Sequence, residues 1–481
     1  MSKSIVKNSI YNIIYKGFTA LFPLVTMTYI CRVLLAEGVG KVSYANTVAT
    51  YFVLIASLGI PNYGIKAIAQ SNRDLKERNT VLMELFSINF ISTTICAIIY
   101  FIFINNCTYF AGRTNLFNVF GSLILLNYFN FDWFYQGIEE YSYIATRSII
   151  IKILSFVLML FFVKTPNDYV NYACILCIAT AGNYILNAFN LRKYFTLNFN
   201  KLNFVRHLKP VFILLASTVA QELYTMLDTI MLEFFHGEIY VGYYSNSVKI
   251  IRMVYTLTIA MVGAFYPRIS KLIKEKNSEE YNKLLSIGLK IILLICVPGS
   301  VGIFTIAPSL IRVFLGESFI PSILCVRVLS GLIIIFSVAY FLGHIVAMAA
   351  GQEKNILKAT VLGAITNFIL NIILIPKFKH YGAAIASVIA EIVVTVVLIK
   401  NTKNVFKLDI KINYYISILI PSIIMGIVVY IINKYFSNYF IALIISLVLG
   451  GSIYLIGLVI LKNDLLYYFV NKFLKRKERI E

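Results

Sequence analysis

The sequence predicts an all-α polytopic membrane protein. Fourteen transmembrane helices are expected, as two six-helix lobes in parallel repeat plus a C-terminal helix pair. Three observations carry this reading. The 481-residue chain is 59% hydrophobic and only 14% charged, where soluble domains are about 25% charged. Apolar runs long enough to cross a bilayer recur along the whole length. Lys and Arg gather in the loops on one side of those runs.

A crossing helix needs about 20 apolar residues. Such segments fall at roughly 9–31, 41–60, 81–105, 116–137, 148–164, 169–190, 210–235, 242–266, 284–306, 323–349, 357–375, 381–399, 413–433 and 439–461. The runs are continuous and longer than the alternating segments of about ten residues that build a spanning barrel. The first run follows Lys3 and Lys7, is too long for a signal-peptide core and lacks a small-residue cleavage site. It reads as a retained helix with a cytoplasmic N-terminus.

With that end inside, even-numbered spans end in the cytoplasm. The inside loops then include "SNRDLKERN", "LRKYFTLNFNKLNFVRHLK", "PRISKLIKEKNSEEYNK", "GQEKNILK" and "NTKNVFKLDIKIN", with the tail "NKFLKRKERIE". About 29 Lys/Arg fall inside and about 7 outside, the bias of a correctly phased topology. Both termini are therefore expected in the cytoplasm. The net charge of +21 is explained by topology, and no nucleic-acid partner is expected.

An internal repeat divides the spans. "VGKVSYANTV" opens span 2 and "YVGYYSNSVKI" opens span 8, placing Tyr44/Asn46 and Tyr244/Asn246 at matching points. Both spans run on through a Pro/Tyr exit ("PNYGIKAIAQSNRDLKE", "FYPRISKLIKEKNSEE") into a short basic amphipathic helix. Spans 1–6 (residues 1–200) and 7–12 (201–405) then form the two lobes, with spans 13–14 and a basic tail in 406–481. A parallel repeat places the substrate site between lobes near the midplane and implies alternating access.

Ionisable residues inside the bilayer are costly and mark function by default. Span 8 carries Lys249 and Arg252, three residues apart and so on one helix face. Span 1 carries Lys16, with Arg32 at its outer end, and Lys41 begins span 2. These cations suit a delocalised anion such as a pyrophosphate. The carboxylates are Glu222 and Asp228 in span 7, Asp132 in span 4 and Glu391 in span 12. They suit coupling-ion sites or ion-pair partners; Glu222–Arg252 and Asp228–Lys249 are the pairs that depth allows.

Other chemistry finds no pattern. Cys174 and Cys177 form a lone C-x-x-C within an apolar run and read as small apolar side chains. The four His (207, 236, 344, 380) show no ligand spacing, and no phosphate-binding G-x-x-x-x-G-K-[ST] occurs. No cofactor or metal is expected. The outer loops are short, the first carrying one Glu and no paired carboxylates, which argues against an enzyme acting on external sugars.

Four stretches carry a family resemblance: "LGIPNYGIKAIAQ" (58–70), "FDWFYQGIEEYSYIATRSIIIKILSFVLM" (131–159), "YYSNSVKIIRMVYTLTIAMVGAFYPRIS" (243–270) and "GAITNFILNIILIPKFKHYGAAIASVIAE" (363–391). Together they resemble the multidrug/oligosaccharidyl-lipid/polysaccharide exporter superfamily, and within it the Wzx-type flippases of capsule and O-antigen repeat units. The resemblance implies fourteen helices and export of an undecaprenyl-pyrophosphate-linked oligosaccharide across a bacterial plasma membrane. It implies a cationic cavity for the pyrophosphate, and polymerase and chain-length machinery as partners. In the related lipid II flippases cavity arginines come from spans 1, 2 and 8; Arg252 is the counterpart in span 8, with Lys16, Arg32 and Lys41 offered by spans 1 and 2. The alternative within the same fold is a cation-coupled drug antiporter, in which Glu222, Asp228 and Glu391 would bind the coupling ion.

Overall fold

The computed structural model describes residues 5–72, 74–194, 202–263, 265–275, 278–403 and 411–467, and no strand occurs among them. Nine helices among the described residues are long and apolar enough to cross a membrane. The protein is an all-helical, multi-pass membrane protein. Its chain divides into two compact units, Met1–Gly242 and Tyr243–Glu481.

The first unit holds α1 (Ile5–Ser57), α2 (Ile60–Ser71), α3 (Leu75–Asn106), α4 (Thr114–Leu126), α5 (Asp132–Gly137), α6 (Tyr141–Phe162), α7 (Tyr169–Leu191), α8 (Val205–His236) and the first turn of α9 (Glu238–Gly263). Helix α1 is its spine and packs against α3, α4, α6, α7 and α8. As one straight rod its 53 residues would reach about 80 Å, far beyond a hydrocarbon core of about 30 Å. Leu35 divides it, with φ 57° and ψ −176°. The connection expected at residues 32–40 is thus compressed to a single left-handed, non-glycine residue.

The span expected at 116–137 is also interrupted. Helix α4 stops at Leu126, a 3₁₀ turn covers Asn127–Phe129, and α5 begins at Asp132. Backbone groups freed inside a bilayer need internal partners, and asparagines supply them. Asn89 Nδ2 donates to the Asn127 carbonyl at 2.9 Å, while Asn127 Nδ2 donates to Asn89 Oδ1 and Thr93 Oγ1, each at 2.9 Å. Ser57 Oγ donates to Asn127 Oδ1 at 3.0 Å.

The second unit holds the rest of α9, then α10 (Tyr266–Lys274), α11 (Ser278–Phe314), α12 (Ser322–Ser330), α13 (Leu332–Tyr340), a π-helix (Phe341–Ala347), α14 (Glu353–Thr402), α15 (Ile412–Tyr435) and α16 (Tyr439–Ile460). Helix α11 packs against α12, α13, α15 and α16, and α14 covers α12, α13 and the π turn. The 50-residue α14 is divided at Lys379 (φ 56°) as α1 is at Leu35. The span expected at 323–349 runs as one helical stretch over Ser322–Ala347, with Gly331 in helical conformation and a π turn at its end. Buried tyrosines tie the last two helices to α11: Tyr414 donates to the Lys290 carbonyl at 2.6 Å and Tyr454 to that of Leu294 at 2.7 Å.

The repeat elements have matching local structure. Tyr44 and Tyr244 are both buried. A left-handed residue precedes each motif, Leu35 in one case and Gly237 (φ 87°) in the other. Helices α2 and α10 each carry a Pro in their first turn, where its missing N–H costs no hydrogen bond.

Where α1 and α9 begin their repeat motifs, glycine is required sterically. A Cβ on Gly40 would lie 1.8 Å from the Glu238 carbonyl oxygen, and one on Gly242 would lie 2.1 Å from that of Ala36. Both obstacles are backbone, so neither can swing aside. Gly40→Ala or Gly242→Ala is expected to cost at least the ~1–3 kcal/mol of core overpacking, read as a lower melting temperature in detergent. Gly451→Ala, with nothing within 4 Å, is the control and is expected to leave melting unchanged or raise it slightly.

Candidate functional site

Helix α9 has two contrasting faces. Tyr243, Tyr244, Ser247, Ile250, Ile251 and Thr258 are buried. Lys249, Arg252 and Thr256 are exposed, and Ser245 is half-buried beside them. These four sit at helical spacing and form one polar stripe. Over 26 residues the helix rises about 39 Å, and Lys249 and Arg252 fall near its middle. On α3, by contrast, the exposed side chains Phe90, Ile91, Ile95, Ile98, Ile99 and Ile102 are hydrocarbon. Two cations three residues apart on an open face can grip both phosphates of a diphosphate, Arg through a planar fork and Lys as a compact charge.

The other expected cations lie in different settings. Arg32 is exposed, three residues before the Leu35 break. Lys41 is half-buried, with Nζ 2.8 Å from Glu37 and 5.1 Å from the Tyr169 ring centre. The Lys16 side chain lies outside the described residues. Among the carboxylates, Asp228 and Glu391 are buried and Glu222 is half-buried. Tyr51 reaches toward Glu222, its hydroxyl donating to that residue's carbonyl at 3.5 Å, and it also feels the Asp228 charge.

Asp132 is half-buried and joins a network around the buried Arg147 and Asn187. Arg147 Nη2 donates to Asp132 Oδ1 at 2.9 Å, Arg147 Nε donates to Asn183 Oδ1 at 3.0 Å, and Nη1 donates to Asn187 Oδ1. Asn187 Nδ2 donates to Asp132 Oδ1 at 2.6 Å, and Tyr135 donates to the Asn187 carbonyl at 2.7 Å. Every arm of the Arg147 guanidinium is thereby occupied. This group fixes α5, α6 and α7 together rather than offering a free charge.

Two further charged clusters were not foreseen, and both fasten α8 to the first unit. At its start, Glu84 of α3 is fully buried and accepts from four donors. Arg206 Nη2 lies at 2.6 Å, Arg206 Nε at 3.0 Å, the Asn203 backbone N at 2.5 Å and His207 Nε2 at 2.7 Å. Tyr63 of α2 holds the other His207 nitrogen at 2.9 Å. At the far end Arg113 Nη1 contacts Glu233 and Glu238, both at 2.7 Å, on either side of the Gly237 break. Tyr109 donates a second hydrogen bond to Glu233. Burial opposes the Arg113 charge, but its two carboxylates outweigh that and raise its pKa, so the clamp stays charged across physiological pH.

A double-mutant cycle on Arg113→Ala and Glu233→Ala is expected to show strong coupling, on the order of the 0.5–3 kcal/mol seen for contacting networks. Melting of the two single variants and the double variant in detergent checks it.

Residues 5–273 match the family model described as "Polysaccharide biosynthesis protein". The chain belongs to that family. The chain is similar to a "Putative O-antigen transporter" of Shigella dysenteriae, 23% identical over 404 residues, covering 82% of this chain and 100% of that one. The capsular polysaccharide biosynthesis protein CapF of Staphylococcus aureus is 24% identical, over 81% and 96% of the two chains. In fold the chain matches the lipid II flippase MurJ in an inward closed conformation, with TM-score 0.79 at 17% identity over 96% of this chain and 100% of that one. A multidrug resistance MATE family transporter of the MOP superfamily, inward-facing, matches with TM-score 0.63 at 15% identity over 82% and 98%. These likenesses place the family member in the MurJ/MATE-like fold.

Proposed function

We propose that the protein is a flippase for an undecaprenyl-pyrophosphate-linked oligosaccharide repeat unit. It carries the unit from the cytoplasmic to the outer leaflet of a bacterial plasma membrane, for surface-polysaccharide synthesis. The observation that carries this reading is the polar stripe along the middle of α9, where the Lys249 and Arg252 side chains are exposed. A cation facing hydrocarbon at that depth costs about 2.5–3.5 kcal/mol on insertion scales, so the stripe is assigned to a water-filled path. There the two cations hold the pyrophosphate, Lys16 assists, and Arg32 and Lys41 guide the anion at the outer end. The membrane topology that goes with this has fourteen crossings, two six-helix lobes and both termini in the cytoplasm, and the lobes alternate access to the two leaflets.

The relatives' names support the substrate class, since lipid-linked repeat units feed both O-antigen and capsule. Deleting the gene in its host tests the reading. Lipid-linked oligosaccharide is expected to accumulate on the cytoplasmic leaflet, and mass spectrometry of the extracted lipid identifies its sugars. Loss of cationic-dye resistance without any such accumulation would favour the drug-antiporter alternative.

A further inference from the structure

Beside the polar stripe the second unit presents aromatic rings. Tyr255 is three residues beyond Arg252 on α9, and the two interact electrostatically. Its ring stacks on Phe336 of α13, with centroids 4.4 Å apart and planes at 30°. One turn further along α13 is Tyr340, whose ring stacks on His344 at 4.7 Å and 28°. All four rings are half-buried.

The π turn brings His344 into this row. Within Phe341–Ala347 every residue but His344 is buried. A π turn inserts an extra residue into an α-helix and frequently occurs at functional sites. An imidazole and a phenol half-open to hydrocarbon would each leave a polar group unsatisfied; open to water, they have none to lose. Flat faces with polar edges, half-exposed beside two cations, do not resemble the isoleucine-rich faces of α3.

We infer that Tyr255, Phe336, Tyr340 and His344 form a sugar subsite, on which the pyranose rings of the oligosaccharide rest while Lys249 and Arg252 hold its pyrophosphate. The C–H faces of a pyranose pack on the electron-rich face of an aromatic ring. The phenol of Tyr340 and the imidazole of His344 add donors and acceptors for the hydroxyls at the rim. The subsite rests on the flippase reading, and extends it by separating recognition of glycan from recognition of diphosphate.

The experiment compares two probes in proteoliposomes: labelled undecaprenyl-pyrophosphoryl oligosaccharide from the host, and undecaprenyl pyrophosphate without sugar. Tyr255→Leu combined with His344→Leu is expected to slow transport of the sugar-bearing probe about tenfold, leaving the bare diphosphate unchanged. Tyr255→Trp, which keeps a flat ring, is expected to retain transport of both. Thermal melting of each variant reports folding, so a misfolded protein is recognised independently. Equal slowing of both probes by a folded double variant, or of neither, would overturn the subsite. Failure of the wild-type protein to move either probe would instead overturn the flippase reading.

Discussion

Arg252→Ala is expected to slow flipping of lipid-linked oligosaccharide about ten- to a hundredfold, the worth of one charge-assisted contact. Lys249→Ala falls in the same range, and the double variant is expected to abolish measurable transport. The reason is physical rather than statistical. A diphosphate passing mid-membrane loses its hydration, and in that low-dielectric setting only opposite charge and donors replace it. Arg252→Lys keeps the charge but loses the fork, and is expected to fall between wild type and alanine. Inside-out vesicles carrying labelled substrate make the measurement. Arg268→Ala, at an exposed side chain paired with Glu280 at 2.6 Å, is the control and is expected to leave transport unchanged.

The largest effect on stability is expected at Glu84. Its carboxylate is buried and holds Arg206, His207 and the Asn203 backbone N–H at once. Removing one partner of such a group costs about 3–5 kcal/mol, because the groups left behind stay buried without a counter-charge. Glu84→Ala should therefore lower melting in detergent by an amount in that range. His207→Ala, buried but neutral in one of its forms, should cost less. Arg206→Ala leaves Glu84, 1% exposed, buried without its counter-charge, and should fall in the same range as Glu84→Ala. The order of the three melting temperatures checks the assignment.

The all-helical, multi-pass character was legible because a bilayer demands continuous apolar sequence, and hydropathy reports that demand directly; the count of fourteen remains a proposal beside nine long apolar helices among the described residues. The breaks were not legible. Leu35 and Lys379 are neither glycine nor proline, yet each takes a left-handed conformation inside a long helical run. The interruption at Asn127 shows in sequence only as a cluster of asparagines, which local periodicity does not connect to Asn89 or Thr93.

Part of the candidate site's geometry was legible. Lys249 and Arg252 stood out as cations in an apolar run, and their common face followed from spacing alone. Arg147 lies one residue before the span expected at 148–164, whereas α6 starts at Tyr141 and carries it buried. Glu84 was a signal in plain view: a lone carboxylate in "VLMELFSINF", which must find partners because burial without them is prohibitive. Its partners lie more than a hundred residues away, and Arg113 is equally far from Glu233. No spacing rule reaches that distance. The Tyr44 and Tyr244 repeat residues are packing residues: Tyr44 meets Phe117 edge-on and Tyr244 shares a hydrogen bond with Ser387 at 2.9 Å.

The central claim, that the α9 stripe lines an aqueous path holding a diphosphate headgroup, is tested most directly at Arg252 itself. Arg252→Cys, placed in a chain with its seven native cysteines replaced by alanine or serine, is reacted in membranes with a charged, membrane-impermeant thiosulfonate. Rapid labelling that slows when lipid-linked oligosaccharide is added is the predicted result. A thiol that does not react from either side of the membrane, while a lipid-soluble maleimide modifies it, would place the stripe against hydrocarbon and contradict the account.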